Sequence, residues 1–487
     1  MNDNMSDIQD QTLRRNAVNG MVWKFLEHIG MQVMQLVIQI VLARFLLPEE
    51  YGLVGLLSIF ISISDVIILQ GLTTALIQKK HADEVDFSSV FYANLIISGV
   101  LYGMLYVMAP WIADFYHEPI LTQIMRVLTL NVVIGAVPAV HNAILSRNLE
   151  FKKSFYRNMS NVVVQGFVGI FLAYIGCGVW ALVYSKIAGT FVGTVVLCIT
   201  VHWHPKKFFD MQRIKGLFAY GSKVLGTNLL NTVFNNIHSL IIGRYYTAAD
   251  LGYYQRGQQI PQMVMSAVDG SMASVLYPTF SKLQNDIAIL KSAVRRSMKT
   301  SMFLVLPILF GLFAVAEPLT IVLLTERWLP SVPFMKLSCI VCMFWPLTQQ
   351  RHALNAMGKS GLTFKISLMG RTITLITIFV CIQWGIYAIM LGSIFSSMVS
   401  VGITGIYVKR YIQYSMTELI RDIAPILLLA LGMCLIVSAL GALQMNLYLK
   451  ICVQIIVGVG TYTLGAAVFR LDSFQYVWNI VKRYIHK

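Results

Sequence analysis

The chain is a succession of apolar runs of roughly twenty residues or more, each long enough to cross about 30 Å of hydrocarbon. Lipid offers no partner to the backbone, so the N–H and C=O groups of such a run must pair within the segment, which selects helices over strands. Turn signals divide the runs into fourteen expected helices. They lie at 17–43, 52–77, 87–109, 120–144, 155–176, 178–200, 217–243, 250–282, 298–316, 333–357, 361–383, 385–408, 422–441 and 446–469. Pro48-Glu49-Glu50-Tyr51-Gly52 breaks the first pair, and Gly176-Cys177-Gly178 and Gln383-Trp384-Gly385 make two very short connections. Only 12% of the 487 residues are charged, about half the share of a soluble domain. The expected fold class is an all-α polytopic membrane protein of about fourteen transmembrane helices.

A net charge of +16 would suit a nucleic-acid partner, but its placement argues for topology instead. With the N-terminus inside, 26 of the 38 Lys and Arg fall on one side, among them Arg14, Arg147, Lys152, Lys206, Arg213, Lys291, Arg295, Lys299, Lys409 and Arg470. A bias of this kind in short loops sets orientation, so both termini are expected in the cytoplasm, with no nucleic acid bound. The N-terminal stretch lacks the basic region and short apolar core of a cleaved signal, so the first span is expected to be retained. Leu471, Phe474, Trp478, Val481 and Ile485 recur at helical spacing, which predicts a tail lying along the membrane surface. Cys339 and Cys342 form a C-x-x-C within a predicted span, where packing is the expected role and no metal site is called for.

An internal repeat organises the rest. Arg44 and Gly52 in ARFLLPEEYGLV match Arg244 and Gly252 in GRYYTAADLGYY at identical spacing. Asn142, Ala143, Phe151 and Lys152 align with Asn355, Ala356, Phe364 and Lys365, and GVWAL at 178–182 aligns with GIYAI at 385–389. The expected domains are therefore a six-helix bundle over 1–216, a second over 217–410, and a helix pair with its tail over 411–487. With an even number of spans each, the copies are expected to be related by an axis along the membrane normal and to rock about a central cavity.

Several stretches resemble the polysaccharide flippase branch of the multidrug/oligosaccharidyl-lipid/polysaccharide exporter superfamily. They are most similar to its colanic-acid and teichuronic-acid exporter group. The resemblance rests on ARFLLPEEYGLVGL, ILSRNLEFKKSF, LGYYQRGQQIPQM and VLYPTFSKLQ, in order and across nearly the whole chain. It implies export of an undecaprenyl-diphosphate-linked oligosaccharide across a bacterial inner membrane, commonly driven by an ion gradient. It also implies membrane lipids and other polysaccharide-assembly proteins as neighbours, and no cofactor.

A charge at mid-bilayer costs several kcal/mol on insertion scales, so an ionisable residue within a span is a functional candidate. The cations so placed are Lys24, Lys186, Lys223, Arg256, Arg351 and Arg371. They suit a lipid diphosphate, which Arg grips with two parallel hydrogen bonds. For Lys24 and Lys223 the alternative is snorkelling to a nearby helix end, and for Arg371 a structural pair. Asp65 and Asp269 occupy nearly equivalent depths. Either binds a coupling Na+ or H+, or neutralises a nearby cation. Asn228, Asn231 and Asn235 stripe one helix face, and Gln259 belongs to a polar run around Pro261; both suit a sugar-facing wall.

Two other functions compete. A multidrug antiporter of the same superfamily favours cationic cargo and usually has twelve helices, which the deep cations and extra helix pair oppose. A membrane glycan polymerase or ligase needs a sizeable extramembrane loop or domain, and the connections here are short. The chain is therefore not expected to be an enzyme.

Overall fold

The computed structural model describes residues 30–475 together with Trp478 and Lys482, with side chains of residues 269–275 outside the description. Lys24, the start of the first span, Val481, Ile485 and the side chain of Asp269 therefore lie outside the described residues. Everything regular among the described residues is helical.

All fourteen expected spans find a helical counterpart. The first is α1 (Gly30–Phe45). The second is α2 (Pro48–Gln70) continued by α3 (Leu72–Gln78), and the third is α4 (Glu84–Tyr116). The fourth is broken into α5 (Leu121–Leu128), α6 (Leu130–Ala136) and α7 (Pro138–Asn148). The fifth to ninth are α8 (Phe151–Tyr174), α9 (Val179–Thr200), α10 (Met211–Tyr245), α11 (Ala248–Leu283) and α12 (Ile287–Leu324). The tenth is also broken, into a 3-10 turn (Glu326–Ser331), α13 (Val332–Met343), α14 (Trp345–Thr348) and α15 (Arg351–Ala356). The last four are α16 (Ser360–Cys381), α17 (Ile386–Ile412), α18 (Met416–Gly441) and α19 (Leu447–Val468). Nine of these segments have both the length and the hydropathy to cross a membrane, and the fourth span, bent by 41° at its break, makes a tenth.

Local chemistry explains the ends. Helices that start beside the basic segments are capped by short polar side chains that accept from the otherwise orphaned N–H groups. Asp83 accepts from Asp86 N, Asp210 from Gln212 N, Asp286 from Ala288 N and Ser415 from Glu418 N. Asp86 and Glu418 bond back to the capping residue, completing reciprocal boxes. Pro48 opens α2, where its missing N–H costs nothing. The fourth span breaks before Pro138 and the tenth at Pro333 and Pro346, while the breaks before Leu130 and Arg351 carry no proline. The matched glycines Gly178 and Gly385 both take left-handed φ, 57° and 100°, and each opens a span.

The chain separates into two compact units, Met1–Gly252 and Tyr253–Lys487. This division differs from the expected boundary at 216/217. The reason is α10, the opening helix of the second repeat, which packs on α2 and α3 of the first unit. A Cβ on Gly221 of α10 would meet the Gly71 carbonyl between α2 and α3. At the far end of α10 the two matched turns meet backbone to backbone. A Cβ on Gly52 would collide with the Ala248 carbonyl, and one on Gly252 with the Pro48 carbonyl. Positions 48 and 52 thus pair reciprocally with 248 and 252, the same spacing that defines the repeat.

In the second unit α18 and α19 pack on α12 and α13 around Met302, Leu306, Leu309, Met335, Ile426 and Met433. Cys339 and Cys342 are buried in that apolar cluster. Polar side chains lock the pair in place: Tyr462 donates to the Phe303 carbonyl at 2.9 Å and Gln454 to the Val437 carbonyl at 3.0 Å. Phe474 packs against the same cluster, stacked on Trp478. The chain turns at Phe469 and Arg470, the latter with a left-handed φ of 48°, before helical residues resume at Asp472.

Candidate functional site

The second unit holds a cavity of about 370 Å³ where the tenth span is broken. Irregular backbone is tolerated at membrane depth when it lines a cavity rather than lipid. Arg351 stands just after the break, at the first position of α15. Its guanidinium donates to hydroxyls on neighbouring helices: Ser400 Oγ at 2.9 Å, Thr404 Oγ1 at 3.2 and 3.3 Å, and Ser367 Oγ at 3.4 Å. Arg371 of α16 lines the same cavity, near enough for the two charges to repel. Thr348, Thr374, Ser396 and Gln262 add polar groups to the wall. Among the described residues lining it, none is Asp or Glu.

Arg256 has a different setting. Only 6% exposed, it donates to Gln259 Oε1 at 2.6 Å, and its Cζ lies 5.5 Å from the centre of the Trp328 ring. It is not among the cavity-lining residues described above. Gln259 is thereby committed to Arg256, while Gln262 donates to Gln258 at 3.1 Å.

In the first unit Asp65 of α2 and Lys186 of α9, both half-buried, are close enough to feel each other's charge. The helices carrying them pack together. Lys223 is exposed on α10. Of the asparagines on that helix, Asn228 and Asn231 are half-buried and Asn235 is exposed.

Clusters of paired charge flank the spans. In the first unit Lys79 meets Asp86 at 2.6 Å, and Arg213 meets Asp83 at 2.5 Å and Asp86 at 3.4 Å. The Arg213 hydrogen bond holds the Asp83 carboxyl down at about 2. Arg147 donates to the carbonyls of Leu76 and Lys79, closing the end of α3. In the second unit Arg295 forms a two-pronged bond to Asp422, at 2.5 and 2.6 Å. Tyr414 and Lys299 also reach Asp422, and Lys291 meets Glu418. Charge counting finds these residues in the sequence, but the pairing of Arg213, Lys291, Arg295 and Lys299 with carboxylates more than 120 positions away leaves no local signal.

A multi-pass helical bundle with a hydroxyl-lined, doubly cationic cavity among its spans is a membrane transport protein in class. The chain belongs to the polysaccharide biosynthesis protein family, whose pattern it matches over residues 41–333. It is 28% identical to the succinoglycan biosynthesis transport protein ExoT of Rhizobium meliloti, over 68% of this chain and 66% of that one. It is 23% identical to the teichuronic acid biosynthesis protein TuaB of Bacillus subtilis, over 72% and 74%. The lipopolysaccharide biosynthesis protein WzxC of Escherichia coli is 21% identical over 68% of each. The chain thus spans about two thirds of ExoT's length. Among solved structures, the lipid II flippase MurJ in an inward closed conformation shares the fold with a TM-score of 0.78. That match covers 93% of this chain and 99% of the other at 15% identity. An inward-facing multidrug resistance MATE family transporter of the MOP superfamily follows at 0.64, covering 80% and 98% at 13% identity. The family match bears out the resemblance read from the motifs, and the solved structures show the same fold.

Proposed function

We propose that the protein is a flippase that carries an undecaprenyl-diphosphate-linked oligosaccharide from the cytoplasmic to the periplasmic leaflet, for cell-surface polysaccharide assembly. The observation that carries this reading is the charge of the embedded cavity. Two guanidinium groups face one space inside an apolar bundle, where only an anionic cargo is stabilised. A multidrug antiporter for cationic compounds would meet repulsion there. Short connections among the described spans leave no room for a catalytic domain, so translocation without covalent chemistry is the better account.

In this reading the protein is multi-pass in the bacterial inner membrane with both termini cytoplasmic. It works by alternating access beside other assembly proteins. A coupling Na+ or H+, if used, would engage Asp65 or Asp269. The test is a deletion strain. Mass spectrometry of its lipid extract should find one undecaprenyl-diphosphate-linked repeat unit accumulating, restored to normal by the intact gene. Unchanged surface polysaccharide with no accumulated intermediate would refute the proposal.

A further inference from the structure

We infer that His117 and Arg244 form an acid-sensitive clasp, in which protonation of the His117 imidazole frees the far end of α10 from the end of α4. Both residues belong to the first unit. The inference stands apart from the flippase reading; only the face of the membrane on which the clasp lies, the periplasmic one, rests on the orientation proposed above.

The clasp joins two helix ends. His117 caps α4, and Arg244 lies in the last turn of α10. Arg244 Nη1 stands 2.5 Å from His117 Nε2. A guanidinium has only donors, so Nε2 accepts, and the proton of the neutral ring sits on Nδ1. Arg244 Cζ also lies 5.2 Å from the centre of the Phe115 ring. Among the described residues no carboxylate pairs with Arg244. His117 holds a left-handed φ of 59°, which at a helix end favours glycine. The ninth span, the counterpart of the third, also ends on a residue of positive φ, 88°, but there it is Thr325. The second copy of the repeat therefore has no ionisable group at this position.

A protonated imidazole donates from both nitrogens and accepts at neither. The hydrogen bond to Arg244 is then lost, and two cations are left in contact. An imidazole makes this change between about pH 5 and 8. The repulsion reaches the backbone through Gly243, which is packed on the neighbouring Tyr116: a Cβ there would stand 3.1 Å from a ring carbon, and Tyr116 is buried. Arg244 thus cannot retreat without lifting the end of α10 off α4.

Other charges stand around the pair. Asp114 and Glu118 flank His117 on its own segment and offer the charged ring an alternative partner. Burial, and then Glu49 of α2, pushes the Glu118 carboxyl up. Glu50 of α2 is committed to Leu47 N, Arg126 of α5 to the Tyr106 ring, and Asp250 beyond α10 to Thr247. The clasp lies outside the spans, so it responds to the pH of one face without moving a proton across the membrane.

The test follows hydrogen–deuterium exchange of segment 238–246 in the full-length protein in nanodiscs, at about pH 8 and about pH 5. Each rate is taken relative to His117→Gln at the same pH, which cancels the intrinsic pH dependence of exchange. Gln keeps a neutral acceptor at either pH. Wild type should match His117→Gln at the higher pH and exchange about fivefold faster at the lower one, the factor that two unit charges in contact produce even at the dielectric of water. His117→Lys, charged at both, should exchange fast at both, and Glu118→Gln should respond as wild type. Wild type against His117→Gln decides the matter even if His117→Lys fails to fold. Equal rates in that pair at both pH values overturn the clasp, as does a response that Glu118→Gln abolishes. Either result leaves the flippase reading to its own test in the deletion strain.

Discussion

Arg256 and Arg351 are both arginines inside spans, yet their surroundings give them different work. Arg351 reaches into a cavity, whereas Arg256 is packed over Trp328, a fully buried ring. A desolvated cation–aromatic contact is worth about 2 kcal/mol. Arg256→Ala should therefore lower the unfolding free energy in detergent by an amount of that order, read as a lower melting temperature, and Arg256→Lys should recover part of it. A stable, well-expressed Arg256→Ala protein that has lost only export would instead place Arg256 in the transport path. The sequence marked both residues by depth alone. Their separation became visible only with Trp328, more than seventy positions from Arg256, set beneath its guanidinium. Asp65 and Lys186 teach the same lesson: each is legible as a deep charge, but their partnership is written in the packing of α2 on α9.

At the scale of elements, the appended pair α18–α19 is fastened to α12 by a carboxylate that is 3% exposed at the side chain and shared between Arg295, Lys299 and Tyr414. Breaking such a pair from one side leaves the other charge poorly matched. Arg295 is 43% exposed, so water screens part of the loss. A double-mutant cycle with Arg295→Met and Asp422→Asn should give a coupling of about 1–2 kcal/mol in thermal or denaturant unfolding. Additive losses would show that the two act independently. The Asp83–Arg213 pair gives a pH dependence of known sign. The Asp83 carboxyl is held near 2, below its unfolded value of about 3.9. Its contribution is thus present above pH 4 and lost as pH falls toward 2. Stability measured from pH 7 down to 5 should not change through this group, and Asp83→Asn should flatten the acid limb. Helix existence was legible from apolar length. The 3-10 turn and short pieces of the tenth span were not, because hydropathy does not register a proline break inside an apolar run.

For the whole molecule, the topology rests on where the basic residues fall, and reporter fusions after Lys215 and Lys299 check it. Both should read cytoplasmic, and a periplasmic signal at either would invert the assignment. The repeat is read from Arg, Asn, Gly and Lys matches, which are rare in apolar sequence. The packing of α10 with the first unit is not legible there, since a repeat boundary and a folding boundary obey different rules. One follows sequence similarity and the other follows which surfaces bury each other.

The crossing of Gly52 and Gly252 carries a historical consequence. Each glycine faces the carbonyl four residues before the other, at Ala248 and Pro48, the signature of a self-complementary contact between two identical partners. In a symmetric dimer of single units, one glycine would serve both sides of such a contact, and any replacement would strike it twice. In one chain the two positions can differ, yet both are bare. Alanine at either site must now push one backbone off another. Gly52→Ala and Gly252→Ala should each cost about 1–3 kcal/mol, and the double variant less than their sum, because the first displacement makes room for the second. Gly226→Ala, where an added methyl meets nothing within 4 Å, should cost nothing. Equal tolerance at all three positions would mean that the crossing is no relic of an ancestral pair.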